Sequence, residues 1–275
     1  MRTAAALAAL LLLAPALAPT PARAQDAKGG REFSTDRPDT TESPYTVDPG
    51  RLQLETTLAG WSRSFRDTEG VRTDTWEAAT TELRIGLTPR LEADVFVQPY
   101  GRNTFSDGSP AQDGPGDLTL RLKANLWGAD GVKRRGDTAL GLIPLIDIPT
   151  DRSNGVGSAG VGGGLIVPFD VALGEHLHLG LNVGAVGRRE SLDRGYEALV
   201  LASASFGVEW SDRWGTYHEI ASELHRNDPR GDAVTLDNGF TFKPRENLQL
   251  DAGVNVGLTR GADRVAAFVG VSTRF

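Results

Sequence analysis

From Arg51 onward the chain alternates apolar and polar residues with period two. Leu52, Leu54, Thr56 and Leu58 interleave with Gln53, Glu55 and Thr57. Leu118, Leu120, Leu122, Ala124 and Leu126 interleave with Thr119, Arg121, Lys123, Asn125 and Trp127, and Leu248 to Leu258 and Val265 to Phe275 follow the same rule. Period two makes a strand with one dry and one wet face. Twelve such segments are predicted, at roughly 51–66, 74–87, 91–102, 116–127, 137–149, 159–170, 175–189, 196–210, 214–226, 233–243, 247–260 and 263–275. None shows the 3.6-residue period of an amphipathic helix. A globular strand averages ~5–6 residues, whereas a tilted strand crosses hydrocarbon in ~9–11. Nearly all the segments are long enough to cross.

The connections alternate as well. Those at 88–90, 171–174, 211–213 and 244–246 are tight, whereas those at 67–73, 103–115, 150–158 and 190–195 are mostly longer and rich in Gly, Asp and Asn. The turn at 128–136 and the short loop at 261–262 depart from this rule. A β-sandwich also alternates apolar and polar residues. Long strands tilt the choice toward a closed cylinder. So do aromatic residues near strand ends (Trp61, Phe65, Trp76, Tyr100, Trp127, Trp210, Trp214), where interface girdles belong. The expected fold is all-β, an antiparallel up-and-down transmembrane barrel of about twelve strands over 51–275, with short periplasmic turns and longer extracellular loops.

The first 24 residues differ in texture. Arg2 precedes an Ala/Leu run over 4–18, and Ala22-Arg23-Ala24 places small residues before Gln25. This is the pattern of a cleaved secretory signal peptide, and the expected location is the outer membrane of a Gram-negative-type bacterium. Residues 25–50 are polar and carry Arg37-Pro38, Ser43-Pro44 and Asp48-Pro49-Gly50, which predicts an irregular periplasmic arm.

Composition narrows the chemistry. The 275 residues include no Cys, so disulfide frameworks and thiolate metal sites are excluded. The net charge of −7 speaks against nucleic acid as a partner. Charged residues make up 24% of the chain, and in a barrel they must point to the lumen, because lipid offers them no partner. Alternation places Glu55, Arg63, Glu82, Arg84, Glu92, Asp94, Arg121, Lys123, Arg188, Glu209, Glu219, Glu223, Asp237 and Asp251 inward. That set holds nine acids and five bases, which favours cations over anions in permeation. Asp36 and Arg37 are the candidate contacts of the arm, and docking at the barrel mouth is favoured over plugging. Outer-membrane lipid hydrolases use a Ser–His pair, for which Ser222 with His218, or Ser203 with His225, are the available residues; no sequence motif marks either as a nucleophile. His176 and His178 share a strand face but lack a third ligand, so no metal or cofactor is expected.

Several short motifs carry a resemblance. They are Thr35-Asp36-Arg37-Pro38, Thr41-Glu42-Ser43-Pro44, Pro49-Gly50-Arg51-Leu52-Gln53-Leu54-Glu55, Thr81 to Leu87 with Leu91-Glu92, Gly114 to Lys123, Asn247 to Gly253, and Ser272-Thr273-Arg274-Phe275. In this order the sequence resembles the bacterial outer-membrane transporter-like barrels named for the MetA pathway of phenol degradation. The resemblance implies an outer-membrane barrel for passive uptake of small molecules, aromatic or hydrophobic ones among them, and no enzyme activity. A plugged, structural barrel without transport is the alternative. Where the family has Pro-Thr-Gly after the fifth strand, this chain has Pro149-Thr150-Asp151. Phe275, closing an alternating strand, has the form of the signal read by the barrel-assembly machinery.

Overall fold

The computed structural model describes residues 31–189, 195–225 and 231–275, so the expected leader and the start of the arm lie outside it. The described chain forms strands and connecting segments, with no helix. The strands are β1 (Leu52–Ser64), β2 (Thr73–Thr88), β3 (Leu91–Val97), β4 (Tyr100–Phe105), β5 (Gln112–Gly114), β6 (Leu118–Trp127), β7 (Thr138–Ile148), β8 (Gly162–Ala172), β9 (Leu177–Arg188), β10 (Glu197–Glu209), β11 (Trp214–His225), β12 (Ala233–Arg245), β13 (Leu248–Gly257) and β14 (Asp263–Arg274). Neighbours pair antiparallel, and β1 pairs with both β2 and β14, which closes the sheet.

The wall is a twelve-stranded antiparallel barrel. β3 and β4 both pair with β2 and form one wall strand, interrupted at Gln98-Pro99. β5 and β6 form the next, pairing with β4 and β3 respectively. β5 lies within a stretch expected to be loop, because Gln112 to Gly114 continue the ladder opposite Asn103 to Gly101.

The barrel is inside-out relative to a soluble protein. Arg84, Lys123, Glu55, Glu92, Glu219 and Asp237 are each at most 2% exposed, while Leu122, Val183, Ile220, Phe240 and Val254 are 41–55% exposed. A continuous apolar exterior around a charged interior is what hydrocarbon requires. The faces alternate within one step at the middle of β11, where Glu219 is buried and Ile220 exposed. Replacing Ile220 by Arg should therefore cost ~2–4 kcal/mol, the depth-dependent penalty for a cation facing lipid. Urea unfolding in lipid vesicles checks this, and an unchanged midpoint would contradict the assignment of faces. Aromatic residues gather near the strand ends: Trp214 stacks on Phe242 with ring centroids 4.4 Å apart, and Trp61 lies 6.3 Å from Trp76.

One strand pair breaks the alternation. The β1–β14 register shifts between Thr57 and Ala59, and opposite it Ala79 adopts φ 57°. This double bulge moves every later residue of β1 to the other face. Below it Glu55 faces Glu82. Above it Gly60 faces Glu77, Trp61 faces Trp76, and Arg63 faces Asp74. Arg63 bonds Asp74 at 2.6 Å, and its guanidinium lies over the Trp61 ring. It thus shares the face of the exposed Trp76, which corrects its expected inward position.

Candidate functional site

The interior is occupied by the arm. Residues 31–50 carry no strand and run from the end of the barrel that holds Arg274 into the lumen and back to β1. The expectation of docking at the mouth is thereby corrected: Asp36 is buried inside the barrel, in a salt bridge to Arg84 at 3.1 Å and another to Lys123. The physical reason lies in the wall. Arg84 and Lys123 are each 1% exposed, and a buried charge must be paired. Burial alone would push the Asp36 carboxyl up, but Arg84 and Lys123 outweigh it and hold the group well below the ordinary carboxylate range.

Around this centre the wall and arm are laced together. Arg84 also pairs with Glu55 and Glu92, each at 2.8 Å, and donates to the Tyr45 carbonyl. Glu55 accepts the backbone amides of Asp36 and Arg37, at 3.0 and 2.9 Å. Glu92 accepts the amide of Val47 at 2.5 Å and lies 3.4 Å from Lys123. Across the lumen Arg37 pairs with Asp251 at 2.7 Å and donates to Thr57. At the arm's tip Glu42 takes Arg121 at 2.6 Å, and Glu82 lies 3.5 Å from the same guanidinium. Glu219 accepts from the Thr40 amide and the Thr41 hydroxyl.

The remaining predicted residues fall in three places. Asp94 is buried in register between Arg84 and Arg121, with neither carboxylate oxygen hydrogen-bonded among the described residues. Asp237 accepts from Thr235 beside Glu219. Arg188 and Glu223 pair at 3.0 Å toward the loop end, and Glu209 is exposed at the arm end. The structure also adds wall contacts outside the predicted inward charges, one through the carboxylate of Asp170 and three through uncharged residues. Tyr45 donates to Asp170 at 2.7 Å, Asn125 to the Pro44 carbonyl, Gln53 to the Ser34 carbonyl and Gln249 to Thr35. Their signal was present in the alternation, since all four wall residues occupy inward positions.

The arm separates two cavities. One, of about 940 Å³, opens toward the loops and is lined by Glu42, Arg121, Asp147, Arg188 and Thr235 among others. The other, of about 330 Å³, lies on the arm's far side and is lined by Tyr45, Asp170, His178, Lys243 and Gln249. They share no lining residue. The β7–β8 connection, 149–161, folds against the larger cavity even without the family's Gly. Thr150 donates to the Gly116 carbonyl, Asn154 to that of Pro115, and Asn103 to that of Gly155.

The candidate hydrolase pairs are engaged elsewhere. Ser222 donates to the Ala202 carbonyl and His218 bonds Asn238. Ser203 bonds Thr41, and His225 lies near Glu197 and Glu223.

The family model described as "Putative MetA-pathway of phenol degradation" matches residues 35–275. No curated protein matches the sequence. Among solved structures, the COG4313 outer membrane channel from Pseudomonas putida F1 is similar over 88% of this chain and 100% of its own, with 14% identity and a TM-score of 0.61. The transport unit of the autotransporter AIDA-I from Escherichia coli is similar over 88% and 93%, with 8% identity and a TM-score of 0.52. The NanC porin is similar over 80% and 98%, with 12% identity and a TM-score of 0.51. At these identities the likeness establishes a shared barrel fold.

Proposed function

The chain belongs to the family named for the MetA pathway of phenol degradation, and from that membership we propose an outer-membrane channel for passive uptake of small molecules, aromatic or hydrophobic ones among them. The observation that carries the reading is a charged interior behind an apolar exterior, with a cavity of about 940 Å³ open at the loop end. Such a lumen supplies polar partners to a permeating solute while the wall satisfies the membrane. The arm end faces the periplasm and the loops face outside. The leader is removed on export, and β14 with Phe275 is the segment that the barrel-assembly machinery reads.

Inward residues set selectivity in this reading. With Arg63 outside, the wall set holds nine acids and four bases, and the arm adds Asp36, Asp39 and Glu42 against Arg37. Cations should therefore carry most of the current. Reversal potentials across planar bilayers in a salt gradient test this, and an anion-selective potential would contradict it. Swelling of liposomes in small aromatic solutes tests uptake itself. The clamp between Asp36, Arg84 and Lys123 favours a second reading, a plugged barrel without transport, which an absence of both conductance and swelling would establish.

A further inference from the structure

Four arginines gather at the loop end, away from the lumen network. Arg66 and Arg72 come from the β1–β2 connection, Arg260 from the β13–β14 connection and Arg264 from the start of β14. With Ser64 and Phe65 they line a cavity of about 210 Å³. None of the four forms a salt bridge among the described residues. Arg66 donates to the Gly70 carbonyl, a neutral acceptor. The carboxylate near Arg72 is Asp74, and both its oxygens are already taken by Arg63, at 2.6 and 3.0 Å. The Nε of Arg72 is buried with no hydrogen-bond partner.

Guanidinium groups brought together without counter-charges repel one another and leave donors unused. A planar fork of N–H donors matches the oxygens of a phosphate, and several forks around one cavity match it better than any carboxylate present. We propose that this cluster is an anion site for a phosphate group. Its height suits a lipid headgroup. Arg66 stands five residues beyond Trp61, and Arg72 four before Trp76, roughly 13–17 Å of strand at ~3.3 Å per residue. That is just past the aromatic girdle, where headgroups begin. With the barrel oriented as proposed above, these are the phosphates of outer-leaflet glycolipid. A free phosphorylated solute has the same chemistry.

The test uses purified full-length protein in detergent, titrated with bisphosphorylated lipid A, with dephosphorylated lipid A and with inorganic pyrophosphate. The comparison is the variant R66Q/R72Q/R260Q/R264Q and the milder pair R260Q/R264Q, whose side chains are exposed. Folding is verified by the heat-modifiable gel shift. Lipid A should bind in a phosphate-dependent way, weakening about tenfold for each arginine neutralised. Pyrophosphate binding that the substitutions abolish, without lipid binding, would also establish the site and assign it to soluble anions. Equal binding by wild type and folded variants, or none of either ligand, would overturn the proposal. Neither result depends on whether the lumen conducts.

Discussion

Arg84→Ala is expected to lower the stability of the barrel by about 3–5 kcal/mol, the cost of removing one partner from a buried ion network. Arg84 is 1% exposed and holds Asp36, Glu55 and Glu92 at 2.8–3.1 Å, so its loss leaves three carboxylates facing one another with only Lys123 beside them. The Tyr45 carbonyl also loses its donor, which loosens the arm where it turns back toward β1. Urea unfolding in detergent micelles reads the loss. Arg51→Ala, at an exposed position, serves as the control and should change stability little. Arg84→Lys keeps a charge but not the fork, and should fall between them. A loss below about 0.5 kcal/mol for Arg84→Ala would show that the network is solvated and the interior wet throughout.

The barrel was legible because the period of a strand is two, and one face had to be polar. In β6 the sequence pattern and the structure agree, with Thr119 and Lys123 buried and Leu120 and Leu122 exposed. The same rule failed at Arg63 for a local reason. A bulge needs only one extra residue, and Leu58-Ala59-Gly60, opposite Ala78-Ala79, has no large polar side chain to mark where the phase slips. The arm's place inside the lumen is hidden for a different reason. Its composition specifies that it makes no ladder, but its partners are distant in sequence. Asp36 meets Lys123 across 87 positions and Arg37 meets Asp251 across 214. Only closure of the barrel brings them together. A trace of the answer was nevertheless present, since a wall with so many inward ionised groups needs counter-charges, and the arm supplies Asp36, Arg37 and Glu42.

Releasing the arm should raise single-channel conductance several-fold. The arm's tip and its return segment lie between the 940 Å³ and 330 Å³ cavities, so its removal joins them into one lumen. Deleting 31–50 exposes Arg84 and Lys123 to water rather than to an empty dry space, and water can satisfy them. A gentler lever is Gly86→Val. A Cβ at Gly86 would fall 2.1 Å from the Asp48 carbonyl oxygen, so the chain leading from the arm into β1 must move. The neighbouring bonds, Gly50 amide to Gly86 carbonyl and Gly86 amide to Arg51 carbonyl, would be strained with it. The variant is expected to fold, to show more frequent open events than wild type, and to expose the arm to protease from the arm end. With conductance unchanged in both variants, the arm would be a fixed brace of the wall rather than the element that limits flow.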